Sequence, residues 1–368
     1  MPLRMDSSTM VEPLTPELEA LCAFAVQYGA SDLLLHEDRQ PQCRLEGRLT
    51  PIGTPPLAGE FFDALWKVCR AGDKQDFDTS LTASGSRFRV NLLYQLGQRA
   101  AVLRRIRNDI PDLETLGVPA DLMREWCGRK SGLVLVCGPT GSGKSTTLAA
   151  AIEWMNSTLA RHIVTIEDPI EYLFTGRSCL FTQREVGLDT PSFAEGLRRS
   201  LRQNPDVIFV GEIRDALTAT TAIQASETGH LVLATLHSSS CADAVERLQL
   251  YFPMGERDAV RKTLAGQLLG ILCQRLLPGA QGGLALAAEY FSNIGAVRKY
   301  IADGKLTELT DLMARSDPKT GRDSLSALAQ LVRDGKITEE TAASFSDNPQ
   351  ELTRALRGIS SSSQGPRR

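Results

Sequence analysis

The run LVLVCGPTGSGKS, Leu133 to Ser145, carries the spacing G-x-x-x-x-G-K-S, and the chemistry it suits is phosphate binding. Gly138, Gly141 and Gly143 let the backbone turn tightly, so that successive N–H groups point at a β-phosphate and the following helix presents its positive end. Lys144 can neutralise phosphate charge and Ser145 can ligate Mg²⁺. The expected nucleotide-binding segment is therefore Gly138, Pro139, Thr140, Gly141, Ser142, Gly143, Lys144, Ser145 and Thr146. A chance match on a loop is the plain alternative. The apolar strand before the loop and the helix-forming STTLAAAIEWM after it argue against that alternative.

Three further segments place reactive side chains at strand ends. DVIFVGEIRD, Asp206 to Asp215, runs four apolar residues into Gly-Glu, as expected of a second strand beside the first. Ligands of open α/β sheets collect at the carboxyl ends of the strands, so Glu212 is expected near the phosphates, holding Mg²⁺ directly or through water. HIVTIEDPIEY, His162 to Tyr172, crowds Glu167, Asp168 and Glu171 at a third strand end, with Pro169 turning the chain out of the strand. Such a cluster suits a general base acting on water, and a solvated acidic turn is its bland reading. ETGHLVLATLHSSS puts His230 and His237 at opposite ends and on opposite faces of a fourth strand, so the two do not make one metal site. His237 suits a phosphate sensor and His230 a structural hydrogen bond. Arg198 and Arg202, spaced i, i+4 on a predicted helix before the Glu212 strand, suit either a phosphate or a neighbouring carboxylate.

The elements that must position these groups follow from patterning. Leu14 to Tyr28 reads as an amphipathic helix. DLLLHE, QCRLEGRLTPI, RFRVNLLYQ and RAAVLRRI read as a small antiparallel sheet, with a helix at Gly59 to Ala71. Apolar strands then alternate with helices, LVLVCG, HIVTIED, DVIFVGE and HLVLATLH, the pattern of an α/β domain with a mainly parallel sheet. From Ala242 to Leu277, and again from Ile294, the chain reads as mostly helical, with Gly335 ending one helix and Thr338 starting the next. The expected organisation is a first domain at 1–107, a linker at 108–119 carrying Pro111, Gly117 and Pro119, a core at 120–290, a helical region at 291–359 and a disordered tail at 360–368.

Composition narrows the function classes. A net charge of −3 with 6% aromatic residues offers neither the basic groove nor the stacking rings of a nucleic-acid motor. The eight cysteines are never closer than ten residues, so no C-x-x-C zinc pair exists and buried reduced thiols are expected. No uncharged apolar run approaches the roughly eighteen residues that cross a bilayer, and MPLRMDSSTMVEP lacks a signal-type segment, so membrane association is expected to run through a partner.

GPTGSGKSTTLAA, IVTIEDPIEY, QREVG, LRRSLRQNPDVIFVGEIRD and ETGHLVLATLHSSS resemble the Walker A, Asp box, Walker B and His box of the secretion ATPase superfamily. Within it they are most similar to the PilT/PilU twitching-motility ATPases, from about Ala30 to the C-terminal helices. The resemblance implies an α/β fold, with a RecA-like P-loop ATPase core, a smaller PAS-like α+β N-terminal domain and a helical C-terminal region. It implies ATP and Mg²⁺ as cofactors, Glu167 and Glu212 as the acidic catalytic residues, and His237 as the γ-phosphate sensor. It implies a cytoplasmic homo-hexamer driving type IV pilus retraction at the inner face of the inner membrane, alone or with a paralogous ATPase. An inner-membrane pilus platform protein is the implied partner, without nucleic acid and without direct membrane insertion. Arginines acting across the subunit interface correspond to Arg87, Arg89 and Arg104. Their fixed charge and bidentate fork suit a transferring phosphoryl group, whereas Arg87 and Arg89, on one strand face, could equally form ordinary salt bridges.

The chain departs from the family pattern in two places. ASDLH is replaced by Ala30-Ser31-Asp32-Leu33-Leu34 with His36 two places later, and AIRNLIRE corresponds to Ala296 to Asp303, where the second Arg is Ala302. The competing readings are an ATPase of a related type II/IV secretion or conjugation machine, a PilU-like accessory subunit, a pilus assembly motor disfavoured by the lack of C-x-x-C pairs, and a nucleic-acid motor.

Overall fold

The computed structural model describes residues 13–357 except Glu46, Arg107 and Asn108. The expected disordered tail at 360–368 and the first residue of the expected linker lie outside the described residues. The chain divides into two compact units, Met1–Asp109 and Ile110–Arg368.

In the first unit, helix α1 (Pro16–Gln27) begins where Thr15 Oγ1 accepts from Leu18 N at 3.2 Å, with Pro16 in the first turn, where its missing N–H costs nothing. Six antiparallel strands follow, β1 (Asp32–His36), β2 (Gln42–Leu45), β3 (Arg48–Pro51), β4 (Asp76–Ala83), β5 (Ser86–Gln95) and β6 (Gln98–Arg105), in the order β3-β2-β1-β6-β5-β4. Helix α2 (Gly59–Val68) lies between β3 and β4 in sequence. Alternation puts Leu33, Leu35, Phe88, Val90, Leu92, Ala101 and Leu103 into one core with α1 and α2. The antiparallel sheet is as expected, with two details that patterning did not resolve. QCRLEGRLTPI is not one strand but the pair β2 and β3, because Gly47 takes φ +81° and reverses the chain. DFDTSLTA is a strand that the short polar side chains concealed, and it buries Thr79, Leu81 and Ala83 in alternation against β5.

The second unit opens with a 3-10 turn at Leu113–Leu116, whose Leu113 is buried with Val118 against α3 (Ala120–Gly128). Its eight-stranded sheet has the order β14-β13-β12-β7-β11-β10-β8-β9. The parallel strands are β7 (Gly132–Cys137), β8 (His162–Glu167), β9 (Leu180–Glu185), β10 (Val207–Val210), β11 (Leu231–Leu236) and β12 (Leu268–Pro278). Strands β13 (Leu284–Ser292) and β14 (Gly321–Arg322) extend it in antiparallel pairing. Every residue of β7, β10 and β11 is buried, as required of strands covered on both faces. Helix α4 (Lys144–Thr158) packs with α3 against one face. The other face carries α5 (Phe193–Ser200), α6 (Ala216–Glu227), α7 (Cys241–Leu250), α8 (Arg257–Gln267), α9 (Ala296–Asp303) and α10 (Leu306–Ala314). A separate cluster on Leu277 and Ala287 seats α11 (Ser324–Arg333), α12 (Glu339–Phe345) and α13 (Pro349–Leu356). Gly335 at φ +67° follows the end of α11, and Thr338 Oγ1 caps α12 by accepting from Thr341 N at 3.1 Å, as its sequence indicates.

This is an α/β fold with a RecA-like core and a smaller α+β unit. Strand β10 is not beside β7 as expected, because β11 lies between them. The stretch Ala242 to Leu277 is helical only to Gln267. LLGILCQRLLP is a strand, a short apolar run whose periodicity does not separate the two states. Arg202 lies beyond α5, so it and Arg198 do not share a helix. All eight cysteines are free and buried. Among the described residues no helix is long and apolar enough to cross a membrane.

Candidate active site

A cleft of about 490 Å³ opens at the carboxyl ends of β7, β8, β10 and β11, lined by loop residues Thr140 to Thr146 together with Glu167, Glu212 and His237. Gly138 and Pro139 serve the loop differently. Their carbonyls each accept from Lys144 Nζ at 2.9 Å. Gly138 sits at φ +141°, and a Cβ there would stand 2.3 Å from Gln274 O, so only glycine fits. Gln274 is fixed in turn by donating Nε2 to Thr147 Oγ1 at 2.8 Å. Gly143, at φ +88°, leads into α4, whose first turn presents unpaired N–H groups. Burial lowers the Lys144 ammonium from its ordinary value, against the opposing pull of Glu212.

The carboxylates expected at two strand ends share this cleft. Glu167, at the end of β8, is 5% exposed, accepts from Thr165 Oγ1 at 2.7 Å and lies 3.4 Å from Gln183 Nε2. Burial pushes its carboxyl up to about 7, the range in which a general base works at neutral pH. Glu212 follows Gly211, which packs so tightly against Ile166 O and Phe193 that an added Cβ would lie 3.1–3.2 Å from them. Glu212 Oε2 accepts from Arg214 Nε at 2.7 Å, and its Oε1 stands 3.3 Å from His237 Nε2. Between these strands, Thr235 Oγ1 donates to Gly211 O and links β11 to the Glu212 turn.

His230 is apart from the cleft and pairs through Nδ1 with Ala225 O at 3.0 Å, the structural part expected of it. Arg198 donates to Glu195 through two bonds of 3.0 Å, the neighbouring-carboxylate arrangement of its two alternatives. The three candidate arginines, Arg87, Arg89 and Arg104, lie on the sheet face opposite the core of the first unit. Arg104 Nε donates to Asp32 Oδ1 at 2.9 Å, yet its side chain stays 70% exposed. Arg87 donates to Ser80 Oγ at 2.6 Å, and Arg89 stands 3.8 Å from Asp78 Oδ1.

Two contributors escaped sequence reasoning. Arg214 pairs with Glu212, approaches Asp168 Oδ2 at 3.6 Å and covers the Phe193 ring, and its signal was a basic residue two places after a strand-end Glu. Tyr172 places its hydroxyl 2.9 Å from Thr146 Oγ1, tying the acidic turn to the loop helix; nothing local in IEDPIEY announces it.

Known proteins repeat this arrangement of sequence and fold. A family model described as type II/IV secretion system protein matches residues 69–292. The type IV pilus retractation ATPase PilT of Pseudomonas aeruginosa is 39% identical over 301 residues, covering 80% of this chain and 87% of the relative. The type IV pilus ATPase PilU of the same organism is 38% identical over 345 residues, covering 91% of this chain and 90% of the relative. A crystal structure of the pilus retraction motor PilT with bound ADP is 41% identical with a TM-score of 0.85, covering 92% of this chain and 99% of that one. The chain belongs to the type II/IV secretion system protein family, as one of its P-loop ATPases.

Proposed function

We propose that this chain is the subunit of a homo-hexameric motor that hydrolyses ATP to retract type IV pili, acting in the cytoplasm on an inner-membrane platform protein. The observation that carries the reading is the meeting of Lys144, Glu167, Glu212 and His237 in one cleft. The retraction role is supported by the likeness to PilT. The loop 138–146 holds the phosphates through its N–H groups and Lys144. Glu167, with its carboxyl near 7, takes the proton of the attacking water. His237 and Arg214, both against Glu212, face the γ-phosphate end of the cleft and give polar contact where charge develops. Ser145 and Glu212, one hydroxyl and one carboxylate on the same cleft, form the sparse oxygen set that suits Mg²⁺ when phosphates supply further ligands. When bound there, the ion would supply positive charge to the phosphates.

Arg87, Arg89 and Arg104 are proposed to complete the site of a neighbouring subunit, supported by the exposure of Arg104 on a sheet face away from its own core. An R104A variant and an E212Q variant, each inactive alone, are then expected to regain turnover when mixed, because some interfaces of a mixed hexamer pair an intact Arg104 with an intact Glu212. No recovery after subunit exchange, checked by phosphate release, would overturn the trans assignment. A PilU-like accessory role is the second reading, favoured by a PilU alignment that extends over more of this chain. Deleting the gene in its host and scoring surface pili and twitching decides the main proposal. Hyperpiliation with lost motility is expected, and bald cells would refute retraction. Hyperpiliation absent with motility reduced only under load would favour the accessory role.

A further inference from the structure

The loop that carries His237 is anchored from behind by a carboxylate the hydrolytic scheme does not use. Residues 237–240 run from β11 into α7, where Ser240 Oγ accepts from Asp243 N at 3.1 Å. Cys241, the first residue of α7, donates its backbone N–H to Glu289 Oε1 at 2.7 Å. The Cys273 thiol donates to Ser238 O at 3.5 Å. Cys273 and Glu289 oppose each other in register across β12 and β13, so both ties come from one rung of the ladder. The next residue of β12, Gln274, is the one that meets the phosphate loop at Gly138 and helix α4 at Thr147.

Glu289 forms no ion pair among the described residues, and its enclosure pushes the carboxyl up to about 7. A cavity of about 20 Å³ adjoins it, bounded by Arg275, Ser324, Leu328 and Phe345. Arg275 draws that carboxyl down in part but stays beyond ion-pair distance, and an enclosed carboxylate without a paired cation is an unfavourable choice for packing alone. Its use lies in the N–H it accepts at the start of α7.

We propose that Glu289 is a positioning residue for ATP hydrolysis, holding the start of α7, and through it the loop 237–240, where His237 Nε2 meets Glu212. The proposal rests on His237 acting at the γ-phosphate. The test compares E289A, E289D, E289Q, H237A and H237A/E289A by kcat and by KM for ATP. E289A is expected to lower kcat about tenfold or more with KM within about threefold. E289D, which keeps the charge but draws the carboxylate back, is expected to lose kcat in the same direction if E289A does not fold. E289Q offers an amide oxygen to the same N–H and is expected to retain turnover within about threefold. Adding E289A to H237A is expected to cost less than about twofold further, because the effect runs through His237. E289Q as impaired as E289A, or a fully additive double variant beside an impaired H237A, would overturn the positioning role alone. An H237A variant with undiminished turnover would overturn the reading of His237 and the proposal with it.

Discussion

An E212Q variant is expected to bind nucleotide as the parent does while losing about 10²- to 10⁴-fold in turnover. The phosphate loop and its Lys144 contacts do not involve Glu212, so the binding surface survives the change. The amide oxygen can still accept from Arg214 Nε, which preserves the local packing. What disappears is a negative charge at the end of β10, where it faces His237 and can balance Mg²⁺ directly or through water. Titration with a fluorescent ATP analogue measures the first half of the expectation and single-turnover phosphate release the second. Turnover within about tenfold of the parent would remove Glu212 from the chemistry.

An E167Q variant is expected to be more stable than the parent and nearly inactive. The sign follows from linkage. Glu167 binds its proton more tightly in the fold than in the unfolded chain, because burial lifts its carboxyl from 4.5 to about 7. The folded state is therefore favoured by this group at low pH, and the advantage is lost as pH rises from about 4.5 to about 7. Above that range the ionised carboxylate leaves the fold about 3 kcal/mol less stable than a neutral group of the same shape. Glutamine removes that cost while its amide oxygen keeps the bond from Thr165. Melting curves at pH 8 are expected to show Tm several degrees higher for E167Q, shrinking to a small difference at pH 5. Turnover of the parent is expected to rise through pH 7 as Glu167 ionises, and E167Q is expected to remain near background throughout. A pH-independent Tm difference would sink the buried-carboxylate account. Full activity in E167Q would assign the base elsewhere.

The placement of the candidate residues was legible wherever it depended on spacing along the chain. Gly138 to Thr146 could be read as a cradle because the loop is local, and Glu167, Glu212 and His237 because each closes an apolar run that had to be a buried strand. Strand order is not local, and the insertion of β11 between β7 and β10 left no mark in either segment. Strands β12 and β13 were hidden because their buried residues follow no clean alternation that would separate strand from helix. Arg214 and Tyr172 join the site only through the turn of the backbone around Gly211 and Pro169. The elevated carboxyl of Glu167 is a property of the desolvation around it, which no pattern of neighbours along the chain encodes.

The place of β11 also bears on where force can arise. It is bonded to β7 over six residue pairs and to β10 over four, all in parallel register. A pull on either neighbour is borne as shear across whole ladders, which yield together and not one bond at a time. The sheet is thus a stiff plate, and the compliant backbone around the cleft is left to its rim, in the turns beyond the strand ends at 138–143, 168–172, 211–215 and 237–240.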